Sequence, residues 1–192
     1  GKITRLFSAY VALSYFVIAP LQSISTGEKY GFSVCTANLV TFLILGGLWL
    51  GEAIFPQNRF EKRTLSVKCA WLILLAFIAF WGPVNPLTLA PDFKPVYLLT
   101  SGTGLSFCMV TPLFLAIVAA YFPHVNKPLF AATALTALFL SLGNVLLEFV
   151  IYPAYWWIGV LHIPLFVTSA YGVGLSFFDM IRQGRDIRQV KG

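Results

Sequence analysis

Six long apolar segments run along this chain and constrain its fold more than any other feature. They cover roughly residues 5–25, 31–55, 66–84, 97–121, 129–151 and 155–181. A transmembrane helix needs about 20 mostly apolar residues to cross about 30 Å of hydrocarbon, and each segment reaches that length. Only 10% of the residues are charged, against roughly 25% in soluble domains, which argues against a water-soluble fold. The sequence therefore predicts an all-α, polytopic transmembrane helix bundle of about six spans, the first of which we expect to be retained rather than cleaved.

The segments follow one another closely, so we expect residues 1–192 to form one integral membrane domain. Lysine and arginine predict its orientation, because basic residues are kept on the cytoplasmic side. If the N-terminus is cytoplasmic, the inner loops and ends hold most of them: Lys2, Arg5, Arg59, Lys62, Arg63, Lys68, Lys127, Arg182, Arg185, Arg188 and Lys191. The outer loops hold only Lys29 and Lys94. We therefore expect a multi-pass membrane protein with both termini in the cytoplasm, and the net charge of +6 then requires no nucleic-acid partner.

Four ionisable residues lie within or at the edge of the predicted spans: Glu52, Glu148, His162 and Asp179. A charge at the bilayer centre costs about 2.5–3.5 kcal/mol on insertion scales, so such residues usually face the bundle interior and mark function. We take all four as candidate catalytic residues. Structural roles compete in each case: an ion pair of Asp179 with Arg182, contact of Glu52 with headgroup water, helix–helix hydrogen bonds for Glu148, and packing for His162.

Helical periodicity adds candidate substrate-binding residues to these acids. Asn38 and Trp49 share a helical face with Glu52, and Asn144 shares one with Glu148. Trp156 and Trp157 lie where the last span begins, as a wall of the site or as part of an interfacial aromatic belt. By depth, Asn38, Asn144, Glu148 and His162 form an outer layer, about 20 Å from an inner layer of Glu52 and Asp179.

The two glutamates also suggest an inverted repeat of three helices. Gly47, Leu50 and Glu52 align with Gly143, Leu146 and Glu148. Three-helix halves of a six-span protein have opposite orientations in the membrane, and many transporters are built in this way.

The sequence contains no P-loop, dinucleotide fingerprint, zincin motif or nucleophile elbow. Cys35, Cys69 and Cys108 are far apart and have no metal-ligand spacing, so we expect no metal and no cofactor. Carboxylic acids in an apolar, aromatic cavity fit one reaction class, the protonation of an epoxide or alkene. In that arrangement Glu148 is the acid, His162 and Asn144 orient it, and Trp156 or Trp157 shelters a carbocation.

Some of these residues carry a family resemblance: the Trp49–Glu52 stretch, the Glu148–Pro153 stretch, the His162–Phe166 stretch and Asp179. In them the chain resembles the polytopic membrane terpene and polyketide cyclases, including the fungal meroterpenoid cyclases and the AveC-like spirocyclases. The resemblance implies metal-independent, acid-initiated cyclisation with Glu52 and Asp179 as the acids, although the fungal enzymes have seven spans. The chain is also similar to lysoplasmalogenase-like proteins around Lys127–Leu129, Gly143–Leu147 and His162, but that family has Asp at the position of Asn144 and more spans.

Three functions follow from these patterns. The first is a membrane enzyme, cyclase-like or isomerase-like, that acts on an isoprenoid, polyketide or other lipid-like substrate by proton transfer. The second is a small transporter or channel that uses the paired glutamates. The third is a non-catalytic subunit of a membrane complex. The substrate and the oligomeric state do not follow from the sequence.

Overall fold

A computed structural model describes residues 1–27, 31–61, 66, 69–100 and 102–191. Lys29, Lys62, Arg63 and Lys68, which contribute to the predicted orientation, lie outside the described residues, and so do the side chains of Arg185, Arg188 and Lys191. The chain is predominantly helical, as predicted. Its long helices are α1 (Lys2–Ser23), α2 (Thr36–Ile54), α3 (Ala70–Trp81), α5 (Phe107–Ala120), α6 (Lys127–Leu146) and α7 (Trp156–Lys191).

Shorter elements connect these helices. A β-hairpin of β1 (Ile24–Gly27) and β2 (Gly31–Val34) joins α1 to α2. A single helical turn, α4 (Tyr97–Thr100), and a 3₁₀ turn, Gly102–Leu105, precede α5. A π-helical turn, Leu147–Ile151, and a 3₁₀ turn, Pro153–Tyr155, connect α6 to α7.

The hairpin was not expected from the sequence, which placed helix up to residue 25 and again from residue 31. Its strands are antiparallel, with Ile24 opposite Val34 and Gly27 opposite Gly31. Gly31 has a φ of +63°, a conformation that glycine adopts without a steric penalty. The hydroxyls of Ser25 and Ser33 lie 2.8 Å apart across the strands. The connection between the first two long helices is therefore a small sheet rather than an irregular loop.

Within the part of the chain that the structure describes, four helical segments are long and apolar enough to cross a membrane: Lys2–Ser23, Thr36–Ile54, Lys127–Ile151 and Pro153–Gly184. The third and fourth predicted spans contain shorter helices. α3 has 12 residues and α5 has 14, which gives lengths of about 18 and 21 Å at 1.5 Å per residue. Both are shorter than the roughly 30 Å of a bilayer core. The segment at 97–121 is interrupted by α4 and the 3₁₀ turn, so one continuous helix does not form there.

Hydrogen bonds show which helix ends lie together. Gln22 near the end of α1 bonds Ser106 and Phe107 at the start of α5, and Asn144 near the end of α6 bonds Cys108. We call this end of the bundle, next to β1 and β2, the hairpin end. At the opposite end the loop after α2 bonds the loop before α6, where the Arg59 N–H donates to the His124 carbonyl over 2.9 Å.

Large aromatic side chains fill the space between the two ends. Phe114 contacts Phe7, Tyr10 and Tyr15 edge to face, and Phe42 stacks on Phe107. Such pairs add roughly 0.5–1.5 kcal/mol each beyond the area that they bury. A Cβ on Gly46 would lie 2.9 Å from the Phe16 ring, so this glycine permits the close approach of α2 to α1.

The packing differs between the two proposed three-helix halves. α1 lies along α2, whereas α6 packs along α7, and α5 packs on α3 and α7. The pairing of the first two long helices therefore has no equivalent between α5 and α6. The inverted repeat predicted from the two glutamates gains no support from this packing.

Candidate functional site

Glu148 and His162 meet at the hairpin end. Oε2 of Glu148 lies 2.8 Å from Nδ1 of His162, and their side chains are 13% and 9% exposed. Glu148 lies in the π-helical turn after α6, and His162 lies in the second turn of α7. A π turn inserts one extra residue into a helix and occurs frequently at functional sites. The structure thus brings together two of the four predicted catalytic residues.

The hydrogen bonds of His162 determine its tautomer. Nδ1 is also 2.9 Å from the carbonyl oxygen of Ile158, which can only accept a hydrogen bond. Nδ1 therefore carries the proton and donates it to both Ile158 and Glu148. Nε2 then has a free lone pair whenever the ring is neutral, and it forms no hydrogen bond with any residue that the structure describes.

His162 lines a cavity of about 370 Å³, within the usual range for small-molecule sites. The cavity lies among α1, α2, α5, α6 and α7 at their hairpin ends, and we call it the hairpin-end cavity. Its polar lining comes from Gln22, Asn38, Ser106, Cys108, Asn144 and His162. Its apolar lining comes from Phe42, Phe107, Met109, Leu140 and Ile158. Glu148 is not among the lining residues, so His162 is the member of the pair that the cavity exposes.

Several polar groups of this cavity retain unused hydrogen-bonding capacity. The Asn144 amide donates to the Cys108 sulfur over 3.4 Å, which leaves its oxygen free as an acceptor. The Asn38 side chain has no hydrogen bond within the described ranges. Gln22, by contrast, uses both ends of its amide, since it donates to Ser106 and accepts from the Phe107 N–H. Two predicted substrate-binding residues, Asn38 and Asn144, therefore share the cavity with His162.

Glu52 occupies a different environment at the opposite end of the bundle. It is 2% exposed, and its Oε1 accepts from the backbone N–H groups of Gln57 and Asn58, both at 2.7 Å. Its Oε2 accepts from the Asn126 amide at 2.7 Å. Asn126 in turn caps α6 by accepting from the Leu129 N–H. Glu52 thus links the end of α2 to the start of α6, which is the contact set of a structural residue.

Asp179 also lies at the opposite end. Its Oδ2 pairs with Nζ of Lys127 at 2.8 Å and accepts from the Gln183 amide at 2.8 Å. The ion pair thus joins α7 to the first residue of α6 rather than to Arg182 in its own helix. Since α6 spans about 30 Å, Asp179 and Glu148 lie near its two ends, further apart than the roughly 20 Å predicted from the sequence.

None of the three tryptophans predicted to bind substrate is among the cavity-lining residues. Trp49 is 1% exposed, and its indole N–H donates to the Thr133 hydroxyl in the core. Trp157 donates to the Pro83 carbonyl at 2.8 Å, and Trp156 is exposed and packs edge to face on Trp157. The last two belong to the surface of the hairpin end, where an interfacial aromatic belt is expected.

Sequence reasoning missed Gln22, Ser106 and Cys108 as lining residues. Cys108 has no metal-ligand spacing that would mark it, and the polar pair Gln22 and Ser106 lies at helix ends, where polar residues are common. Their only sequence signal is polarity at the end of an apolar run, which does not distinguish a cap from a cavity wall.

No known protein family, curated protein or solved structure matches this chain.

Proposed function

We propose that this chain is an integral membrane enzyme that acts on a lipophilic substrate by proton transfer at His162, with Glu148 as its partner. One observation carries the proposal: the 2.8 Å contact between Glu148 and the protonated Nδ1 leaves Nε2 of His162 free at the hairpin-end cavity. A carboxylate that holds a histidine in one tautomer is the arrangement used by general acid–base catalysts.

The geometry changes which residue would meet the substrate. The sequence predicted Glu148 as the acid and His162 as its support. Because His162 lines the cavity and Glu148 does not, we assign the transfer itself to Nε2 of His162. Neutral His162 accepts a proton from the substrate at Nε2, and protonated His162 donates one there. The Glu148 carboxylate balances the imidazolium charge in the second case, so double-bond isomerisation and acid-initiated ring closure both fit the site.

The proposed membrane arrangement has six passes and cytoplasmic termini. α3 and α5 run between the same two ends as the four longer segments, because the Cys69 thiol donates to the Ala119 carbonyl at one end and Trp157 bonds Pro83 at the other. Basic residues of the described chain support the orientation. Lys2, Arg5, Arg59, Lys127 and Arg182 lie toward the opposite end, whereas Lys94 lies near the hairpin end.

Deuterium uptake tests the proton transfer whatever the identity of the substrate. Membranes that contain the protein are incubated in D₂O, and their extracted lipids are compared by mass spectrometry with membranes that lack it. Proton delivery to carbon leaves deuterium in a non-exchangeable C–H position of one compound class. We expect Glu148→Gln and His162→Gln to reduce this incorporation at least 100-fold, the usual contribution of a general acid or base.

Asp92→Asn is the matched control, because Asp92 is an acidic residue in the loop after α3 that pairs with Lys94 and does not line the cavity. Its deuterium incorporation should equal that of the wild type. Incorporation that survives both Glu148→Gln and His162→Gln would refute the proposal. Glu148-dependent proton flux into proteoliposomes, without deuterium in any lipid, would instead favour the transporter.

A further inference from the structure

We propose that the hairpin-end cavity binds an amphiphile with an uncharged, oxygen-bearing head group and excludes phosphate, carboxylate and ammonium head groups. The inference rests on the site of the proposed function and specifies its substrate class. It follows from which chemical groups face the cavity and which of them retain hydrogen-bonding capacity.

The lining contains no Lys, Arg, Asp or Glu among the residues described there. A charged head group would therefore lose its water without gaining a counter-ion, and an unpaired buried charge is expensive in a low-dielectric environment. The acid nearest to the cavity lining, Glu148, is already paired with His162. When His162 is protonated, the pair has no net charge left to balance a phosphate or an ammonium group.

The free groups match a neutral oxygen instead. The Asn38 amide offers both a donor and an acceptor, the Asn144 oxygen offers an acceptor, and Nε2 of His162 donates when the ring is protonated and accepts when it is neutral. His162 is 7% exposed as a whole residue and lines the cavity. A hydroxyl head group can both donate to and accept from these groups, whereas a carbonyl head group can only accept, from the Asn38 amide or from protonated His162.

The rest of the lining suits a hydrocarbon tail. Phe42, Phe107, Met109, Leu140 and Ile158 form the apolar wall. A second groove, formed by Ala131, Leu135, Val173, Ser176, Phe177 and Met180, lies nearer the opposite end and is almost wholly apolar. It offers little to distinguish one head group from another, so it is an internal reference for non-selective lipid contact.

Photolabelling with matched probes tests this selectivity. The probes are an 18-carbon alcohol, its phosphate monoester and the corresponding primary amine, each with a diazirine beside the head group. The purified full chain in nanodiscs is irradiated with each probe, and the labelled residues are identified by mass spectrometry. We expect the alcohol probe to label the hairpin-end cavity at least 10-fold more than the phosphate or the amine probe. Excess oleyl alcohol serves as a competitor for this labelling. All three probes should label the second groove to similar extents.

Two variants assign the selectivity to the cavity. Asn144→Leu and Asn38→Leu each remove an uncharged hydrogen-bonding group, and each should reduce cavity labelling by the alcohol at least 5-fold while labelling of the second groove is unchanged. Ser176→Ala, in the second groove, is the control and should leave cavity labelling as in the wild type. If one Asn variant fails to fold, the other provides the same test.

The proposal is overturned if the phosphate or the amine labels the cavity as strongly as the alcohol, or if no probe labels it above the level of the second groove. This result is distinguishable from a failure of the proposed function. Glu148→Gln should retain alcohol labelling and lose deuterium incorporation. Labelling without deuterium uptake by the wild type refutes the enzyme alone, and uptake without selective labelling refutes this inference alone.

Discussion

Replacing Glu52 by glutamine separates a structural role from a catalytic one. The carboxylate accepts three hydrogen bonds of 2.7 Å. A glutamine keeps one oxygen for the two backbone N–H groups but places its own NH₂ against the Asn126 amide donor. The variant loses one hydrogen bond to a charged group, worth about 1.5–3 kcal/mol, and leaves donors unpaired at about 1–3 kcal/mol more. We expect the free energy of unfolding to fall by about 3 kcal/mol.

A thiol-reactive fluorogenic dye measures this loss in a Cys35→Ser background, because Cys35 is exposed whereas Cys69 and Cys108 are buried in the folded protein and become accessible on unfolding. At roughly 2–4 °C per kcal/mol for a chain of this size, about 3 kcal/mol lowers the melting temperature by roughly 6–12 °C. Below that temperature, deuterium incorporation by Glu52→Gln should match the wild type, since Glu52 lies at the other end of the bundle from His162.

The double variant Glu52→Gln/Asn126→Asp is the decisive control. The new carboxylate at position 126 accepts from the glutamine NH₂ and can still cap the Leu129 N–H. It should restore at least half of the lost melting temperature. The reasoning is wrong if Glu52→Gln melts within 2 °C of the wild type, or if it folds normally and loses deuterium incorporation.

Three further predictions concern other parts of the chain. Replacing either partner of the Lys127–Asp179 pair should lower stability. In a double-mutant cycle the coupling energy between the two residues should be only about 0.5–1 kcal/mol, because Lys127 is one-third exposed. A coupling energy above 3 kcal/mol would contradict this. In Gly159→Ala the new Cβ would lie 2.7 Å from the ring of Phe149, the residue after Glu148. Phe149 must therefore move, and deuterium incorporation should fall. Unchanged incorporation would show that the ring turns away freely. The pKa of Asp92 lies below its usual value, chiefly because of the Tyr97 hydroxyl and then because of Lys94. The contribution of the Asp92 carboxylate to the stability of the folded protein should therefore be present above about pH 4 and be lost as the pH falls further. Melting curves of Asp92→Asn, recorded over this pH range, should lack this acid-dependent component.

The main helices follow from apolar run length because the hydrocarbon core of a bilayer sets that length. The same reasoning missed the hairpin, since Ile24–Val34 continues the mixed apolar and small residues of its flanks. It also could not detect that the segment at 97–121 begins with short turns. Gly102 and Gly104 occur there, but isolated glycines are common in transmembrane helices and therefore carry little signal.

For the candidate site, periodicity identified the inward faces of the helices. Burial of Leu45, Trp49 and Glu52 in α2 confirms that face. Periodicity could not separate a carboxylate that accepts three hydrogen bonds from one that faces a cavity, because the partners of Glu52 are backbone groups and an asparagine 74 residues away. Sequence reasoning placed His162 beside Glu148, but it did not predict the π turn that holds Glu148 and rotates the chain relative to a regular α-helix. No spacing in the sequence indicates that rotation.

The separation of polar groups along α6 has a consequence for sequence change. Groups that hold the helices together lie at its first residues, and groups with free hydrogen-bonding capacity lie near its last. Substitutions at distant sites without shared partners have additive effects on stability. The lining of one end can therefore diversify toward new ligands while the other end preserves folding, so laboratory selection for altered specificity is best directed at residues 38 and 144.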